Sequence, residues 1–148
     1  MSPEIEKHLK KILQCTQKSS ERVYFATHDL VGQIGKLGKR KKQRQSAIEA
    51  LQKIALEAYK PFRASAANKL ADILSPEDTD CLPFLREGLK SKDIDYGSVC
   101  GLLKVLGDDA YREIVALILD PKCSLDSRSS ALSAICEHSG QPFDEDLP

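Results

Sequence analysis

The chain has 148 residues, 41% of them apolar, so it is long enough to bury the core of about one domain. It has four phenylalanines, four tyrosines and no tryptophan, so the core must be aliphatic and alanine-rich, which favours packed helices over a β-sandwich. No stretch approaches the roughly 18 apolar residues of a transmembrane helix, and the basic N-terminus has no apolar segment, so neither a membrane span nor a signal peptide is expected.

The net charge of zero conceals an uneven distribution along the chain. Residues 1–60 contain 13 Lys and Arg against 6 Asp and Glu, whereas residues 61–148 contain 9 against 16. If the fold is elongated, these charges are kept apart, and the molecule has a basic end and an acidic end that can steer charged partners.

The N-terminal third is predicted to form two helices. The first follows a cap at Ser2 and runs to about Lys18. The second follows a cap at Ser19 or Ser20 and ends in the glycine-containing stretch 32–38.

Three further helices are predicted in the middle of the chain. The third helix begins within the basic run 36–44 and continues to about Tyr59, and Pro61 opens the fourth. The fifth is expected to open at residues 75–78, whose sequence SPED has a capping-box pattern.

The last three helices complete a single domain of residues 1–140. The sixth is predicted at about 95–106 and ends at Gly107, and the seventh runs from residues 108–109 to Leu119, before Pro121. The eighth is predicted from Asp126 to Gly140. Residues 141–148 are expected to form an acidic tail that contains two prolines.

Three segments of the second half, residues 61–70, 95–106 and 126–135, can be aligned with one another. Arg63 then lies over Tyr96 and Arg128, at offsets of 33 and 32 residues. Small or apolar residues coincide in three more columns: Ala66, Val99 and Ala131; Ala67, Cys100 and Leu132; Leu70, Leu103 and Ile135. The helices in front of these segments also align on one face each: Ile48, Leu51 and Ala55; Leu82, Leu85 and Leu89; Tyr111, Ile114 and Ile118. A repeated helix pair of this length predicts a stacked α-solenoid, and an irregular helical bundle is the alternative.

Residues 82–93, with the sequence LPFLREGLKSKD, resemble a HEAT-type repeat. That family has a leucine-rich A helix with a proline near its start, a turn containing Asp, and a B helix that opens near an Arg before small residues. Arg63 and Arg128 match the Arg position, and Tyr96 departs from it. The resemblance covers roughly residues 45–140. It implies an all-α, right-handed α-solenoid of about four antiparallel helix pairs.

No set of residues predicts catalysis, a metal site or a cofactor. The three histidines, His8, His28 and His138, fall on separate predicted helices, and the glycines of 32–38 lack the spacing of a phosphate-binding loop. The five cysteines are scattered without a C-x-x-C pair, so they are interpreted as small core residues of a protein in the reducing cytoplasm. The chain is therefore not expected to be an enzyme.

Two charged sets are candidate binding sites. The first consists of carboxylates on the B helices or their flanking turns, which would suit a basic protein partner: Asp72, Asp93, Asp95, Asp108, Asp109, Asp126 and Glu137. The alternative is that these residues simply occupy helix ends. The second set is a basic run that could contact a nucleic acid or another anion: Lys36, Lys39, Arg40, Lys41, Lys42 and Arg44. The alternative there is a solvated turn, and the run has no aromatic residues for base stacking.

Residues 131–144, ALSAICEHSGQPFD, are similar to the ends of small bacterial HEAT-like proteins, some of which resemble immunity proteins of polymorphic toxin systems. The resemblance implies a protein that masks a basic toxin domain by charge and shape. The first hypothesis is thus a cytoplasmic, non-catalytic protein-binding module. The second is nucleic-acid or anion binding through residues 36–44, and the third is an enzyme accessory on a helical-repeat scaffold.

Overall fold

The computed structural model describes residues 1–140, and over that range it contains helices and no β-strand. The prediction of an all-α fold is therefore confirmed. The predicted tail 141–148 lies outside the described residues. None of the described helices is long and apolar enough to cross a membrane. The eight α-helices are α1 (Pro3–Gln14), α2 (Glu21–Leu37), α3 (Arg44–Glu57), α4 (Lys60–Ile73), α5 (Leu82–Gly88), α6 (Asp95–Leu106), α7 (Tyr111–Leu119) and α8 (Leu125–Ser139).

Serine side chains cap three of these helices. Ser2, Ser20 and Ser124 precede α1, α2 and α8, and each hydroxyl accepts a hydrogen bond from the backbone amide three residues later. The first two caps are predicted from the sequence. Because Ser124 supplies the third, α8 begins at Leu125, one residue before the predicted start.

The first helix is shorter than predicted. It ends at Gln14, because Cys15 takes an extended conformation and residues 16–19 close into a turn. In that turn the Ser19 hydroxyl accepts a hydrogen bond from the Thr16 amide at 3.0 Å. A serine that satisfies the backbone locally in this way competes with continuation of the helix.

The predicted start of the fifth helix at Ser75 is wrong. The Asp78 carboxylate accepts a hydrogen bond from the Ser75 amide at 2.7 Å and forms an ion pair with Arg44 at the start of α3. Arg44 also donates to the carbonyl of Ile73, at 3.1 Å. Residues 75–78 are therefore a turn tied to α3, and α5 begins only at Leu82, after a 3₁₀ turn.

Burial of Asp78 favours its neutral form, but the hydrogen bonds that it accepts from Arg44 and Ser75 outweigh this effect. The pKa of its carboxyl is therefore lowered, and the ion pair is retained at neutral pH.

Each even-numbered helix contacts the odd-numbered helix before it, in the pairs α1–α2, α3–α4, α5–α6 and α7–α8. The even-numbered helices also contact one another in succession, α2 with α4, α4 with α6, and α6 with α8. At the N-terminal end, α3 additionally contacts α1 and α2. The even-numbered helices α4, α6 and α8 are the three segments that align in the sequence.

The aligned small and apolar positions are all buried in α4, all but Cys100 are buried in α6, and they are less completely buried in α8. Ala66, Val99 and Ala131, which form one aligned column, are all fully buried. The next column is buried at Ala67, whereas its other members, Cys100 and Leu132, are only half-buried. The alignment predicts that all three members of this column are buried where the helices meet, and this prediction is wrong for Cys100 and Leu132. Leu132 lies on α8, and no further helix of residues 1–140 covers the outer side of α8.

Helices α4 and α6 approach so closely that their backbones touch. A Cβ atom built on Gly97 would lie 2.7 Å from the carbonyl carbon and the Cβ of Ala67, and 2.9 Å from its carbonyl oxygen. One turn further along α6, a Cβ on Gly101 would lie 2.6 Å from Leu85 of α5. Only glycine fits at position 97, because a side chain there would meet the backbone of Ala67 and separate the two helices, whereas at position 101 the end of the Leu85 side chain would have to shift.

The two aligned arginines make the same contact. Nε of Arg63 donates to the carbonyl oxygen of Ala58 at 2.7 Å, and Nε of Arg128 donates to the carbonyl oxygen of Ile118 at 2.6 Å. Each carbonyl lies at the C-terminal end of the preceding odd-numbered helix, where carbonyl groups lack partners within the helix. Tyr96, which departs from the arginine pattern, donates its hydroxyl to Glu137 of α8 instead.

The contact between α4 and α6 predicts that enlarging Ala67 destabilises the fold. Ala67→Leu should lower the free energy of unfolding by about 1–3 kcal/mol, because the added carbons meet the backbone of Gly97. Ala64→Leu, the same change at an exposed position of α4, should shift it by less than about 0.5 kcal/mol. Urea melts of both variants measure the difference. Equal, small effects would contradict the close approach.

Candidate binding surface

Two grooves lie between the even-numbered helices. The first, here called the central groove, encloses about 320 Å³ between α4, α6 and α8. Its lining combines an apolar floor with charged and polar side chains: Asn68, Ala71, Asp72, Tyr96, Cys100, Leu103, Lys104, Ala134, Glu137 and His138.

The second, here called the α2–α4 groove, consists of two adjoining depressions of about 130 Å³ and 360 Å³. The smaller depression is lined by Gly32, Gly35, Lys36, Lys39, Lys69 and Asp72. The larger is lined by His28, Asp29, Gly32, Gln33, Lys36, Ser65 and Lys69. Because Asp72 lines both the smaller depression and the central groove, the two grooves are neighbours on α4.

The predicted acidic residues are not gathered in one row. Only Asp72 and Glu137 line the central groove, and Glu137 is engaged by the Tyr96 hydroxyl. Asp108 and Asp109 are exposed in the 3₁₀ turn between α6 and α7. These four carboxylates therefore lie on different parts of the C-terminal half.

The remaining predicted carboxylates lie near the N-terminal ends of α6 and α8. Asp126 is exposed in the first turn of α8. Asp93 is half-buried in the turn before α6 and forms an ion pair with Arg63 at 3.3 Å. Asp93 thus already has a cationic partner within the chain.

The expectation that Asp95 lies on an exposed surface is wrong, because only 5% of this residue is accessible. Its carboxylate accepts hydrogen bonds from the Ser127 hydroxyl at 2.9 Å and from the Tyr96 amide at 2.7 Å. Asp95 therefore links α6 to α8 inside the molecule.

Burial raises the pKa of the Asp95 carboxyl. Hydroxyl groups of Ser127 and Ser130 oppose this shift by hydrogen bonding, while the negative charges of Asp126 and Asp93 add to it. Nothing in the local sequence distinguishes Asp95 from an exposed helix-start aspartate, since its partner Ser127 lies 32 residues away.

The predicted basic run divides among three environments. Lys36 and Lys39 line the α2–α4 groove. The next three basic residues are exposed in the turn between α2 and α3: Arg40, Lys41 and Lys42. Arg44 is held by Asp78, so its predicted role as a free anion-binding side chain is wrong.

Two lysines that the sequence analysis does not single out complete the charge pattern. Lys69 joins Lys36 and Lys39 at the α2–α4 groove, and Lys104 faces the central groove. The two grooves therefore carry both signs of charge.

The central groove also brings Cys100 and His138 to one surface, although 38 residues separate them. Burial raises the pKa of the Cys100 thiol, and the negative charge of Asp72 raises it further. No hydrogen bond joins Cys100 to His138 within the described chain. An activated thiolate needs a lowered pKa and a hydrogen-bonded base. The pKa of Cys100 is raised instead, so this arrangement does not create a nucleophile. Over residues 1–140, no group of three or more His, Cys, Asp or Glu side chains is placed to hold a metal ion.

The burial of Asp95 predicts a pH-dependent effect of Asp95→Asn. The pKa of Asp95 in the folded protein lies above the ordinary value of 3.8, so the folded state binds the proton more tightly than the unfolded state does. Stability therefore falls as the pH rises from the ordinary pKa through the folded-state pKa. Asparagine can still accept the hydrogen bond from Ser127 but carries no charge. The stability of the Asp95→Asn variant relative to the parent chain should therefore be more favourable near neutral pH than at about pH 4.

Urea melts at the two pH values test this effect. The exposed neighbour Asp126→Asn should change stability little at either pH. A larger loss of stability in Asp95→Asn near neutral pH than in acid would contradict the assignment, because it would mean that the buried charge is favourable.

Comparison of the chain with protein-family models, curated proteins and solved structures finds no match.

Proposed function

We propose that the chain is a non-catalytic protein-binding module, and more specifically an immunity protein that neutralises a basic toxin domain. The observation that carries the proposal is the pair of neighbouring grooves, which meet at Asp72 and extend over α2, α4, α6 and α8. A surface of this kind spans several helices and offers apolar, acidic and basic groups side by side. Protein interfaces combine these features.

The architecture that we propose for this module is a right-handed α-solenoid of about four antiparallel, HEAT-like helix pairs. Three observations support it. The even-numbered helices contact one another in chain order. Arg63 and Arg128 repeat the same bond to the preceding helix. Arg86 of α5 also pairs with Glu113 of α7 at 2.8 Å, which links successive odd-numbered helices.

The proposed partner is basic because the C-terminal half carries an excess of carboxylates. Residues 61–140 contain 13 Asp and Glu against 9 Lys and Arg. Five of the carboxylates in the predicted set are exposed: Asp72, Asp108, Asp109, Asp126 and Glu137. Exposed charge of one sign accelerates association with a partner of the opposite sign and discriminates against nucleic acid.

Nucleic-acid or anion binding through the basic run is the alternative from another class. Arg40, Lys41 and Lys42 favour it because they are exposed next to one another between α2 and α3. Lysine and arginine side chains in such a turn can approach phosphate groups, with an affinity that falls steeply as salt is added.

Charge reversals distinguish the two functions. The chain is immobilised and exposed to lysate of its source cell, in parallel with Asp108/Asp126/Glu137→Lys and Arg40/Lys41/Lys42→Glu. We expect a basic protein to be captured by the parent chain and by the second variant, and to be lost from the first, because its attraction to the carboxylates is removed. Mass spectrometry identifies the captured protein, and co-expression with the chain should then suppress its toxicity.

Both variants must show the helical circular dichroism of the parent chain before capture is compared. Capture that is indifferent to the acidic reversals would contradict the proposed partner. Loss of a captured nucleic acid in the Arg40/Lys41/Lys42 variant alone would favour the alternative.

A solenoid predicts that a defect at one end stays local, because each unit contacts only its neighbours. Ala131→Gly should cost α8 about 1 kcal/mol of helix stability. Hydrogen exchange should then accelerate in α7 and α8 while α1–α3 keep their protection, since the principal contacts of the last pair are with α6 and the 3₁₀ turn before α7. Equal acceleration in all helices would indicate one cooperative bundle.

A further inference from the structure

Three lysines line the α2–α4 groove. Lys36 lies in the last turn of α2, Lys39 lies in the turn that follows this helix, and Lys69 comes from α4. The ion pairs within residues 1–140 involve other basic side chains: Arg44, Lys53, Arg63 and Arg86. The three lysines thus line one depression, and none of them forms an ion pair with a carboxylate of the described residues.

Lys69 is held in place by packing. A Cβ atom built on Gly35 would lie 3.2 Å from Cδ of Lys69 and 3.3 Å from its Cβ, so the aliphatic part of Lys69 crosses α2 at this glycine. Lys36 lies in the last turn of α2, where the helix dipole favours a cation. Lys69 lies well inside α4, where the dipole gives no such reason. The helix dipole thus accounts for a lysine at position 36 but not for one at position 69, so the position of Lys69 beside the groove is the stronger indication of a ligand site.

Gly32 leaves the floor of the groove open. It lies inside α2 and lines both depressions, and a Cβ atom added to it would have no neighbour within 4 Å. Its φ angle is not positive, so its backbone does not require glycine either. A glycine inside a helix costs about 0.5–1 kcal/mol relative to alanine. No contact within the described residues offsets this cost. A ligand that approaches the bare backbone at Gly32 would offset it.

We propose that the α2–α4 groove binds a compact phosphate-bearing ligand, in which one phosphoryl group occupies the smaller depression and is bound by Lys36, Lys39 and Lys69. A phosphate monoester carries a charge of about −1.5 to −2 near neutral pH, which matches three cations better than a single carboxylate does. The smaller depression, of about 130 Å³, is lined by all three lysines and is therefore the place for the phosphoryl group. The adjoining 360 Å³ receives the rest of the ligand.

The groove selects against a long polyanion. Asp72 lines the smaller depression and Asp29 the larger one, so a nucleic-acid strand that continued beyond either would meet a carboxylate. Like charges placed along the path of a ligand lower its affinity. The inference concerns a small ligand in the α2–α4 groove, whereas the test of the protein partner reverses Asp108, Asp126 and Glu137, which lie outside that groove, so the two proposals can fail separately.

Titration calorimetry of the full chain with inorganic pyrophosphate at low salt tests the proposal. The parent chain should bind pyrophosphate more tightly than sulfate. Lys69→Met keeps the aliphatic contact with Gly35 but removes the ammonium group, and should weaken binding roughly tenfold or more, the usual effect of losing a charge-assisted hydrogen bond. Lys41→Met removes an exposed lysine of the same basic run outside the groove and should leave the affinity within about twofold.

A second pair of variants separates the ligand site from folding. Gly32→Ala should raise the urea midpoint, because alanine favours the helix. Gly32→Leu should abolish pyrophosphate binding by filling the groove while remaining folded, since nothing lies within 4 Å of the added carbon. If Lys69→Met fails to fold, Lys36→Met replaces it with the same expected loss.

Four results would overturn the proposal. These are no pyrophosphate binding at millimolar concentration, equal affinities for sulfate and pyrophosphate, equal weakening by Lys69→Met and Lys41→Met, or full binding by Gly32→Leu. Tighter binding of a single-stranded oligonucleotide, lost on reversal of Arg40, Lys41 and Lys42, would assign the basic charge to nucleic acid instead.

Discussion

The contact between Gly97 and the backbone of Ala67 is the constraint on which the rest of the structure depends. It joins α4 and α6, and these two helices between them contact α2, α3, α5 and α8. A side chain at position 97 would increase the distance between α4 and α6 and so shift both halves of the molecule relative to each other. An alanine-rich composition without tryptophan thus has a physical role, because small residues allow helix backbones to touch.

The same close packing creates the grooves. Where small residues bring two helices together in their interior, the longer side chains on the outer surface diverge and leave a depression between them. The central groove has Ala71 and Ala134 among its lining residues, and the α2–α4 groove has Gly32 and Gly35. The chemistry of the surface then depends on which charged residues surround these small ones. Packing and the lining of the grooves therefore depend on different faces of the same helices.

The sequence predicts the helices and the burial of Ala67, but it does not predict that the aligned Cys100 and Leu132 are only half-buried, because their burial depends on how the helices pack in three dimensions. It does not predict the burial of Asp95 or the pairing of Arg44, since each depends on a partner more than 30 residues away. The predicted helix start at residues 75–78 is wrong for another reason. Ser and Asp at this spacing can cap a helix or close a turn, and only the tertiary contact with Arg44 decides between the two.

The Asp78 carboxylate connects two parts of the chain to the turn in which it lies. It closes the loop after α4 through the Ser75 amide, and it fastens the beginning of α3 to the segment that leads into α5 through Arg44. A proton on Asp78 would weaken both connections at once. Because the pKa of this group is lowered, that protonation occurs only at a pH below the ordinary range of an aspartate. The protonation of one side chain, Asp78, thus sets the pH below which α3 is no longer held to the segment between α4 and α5.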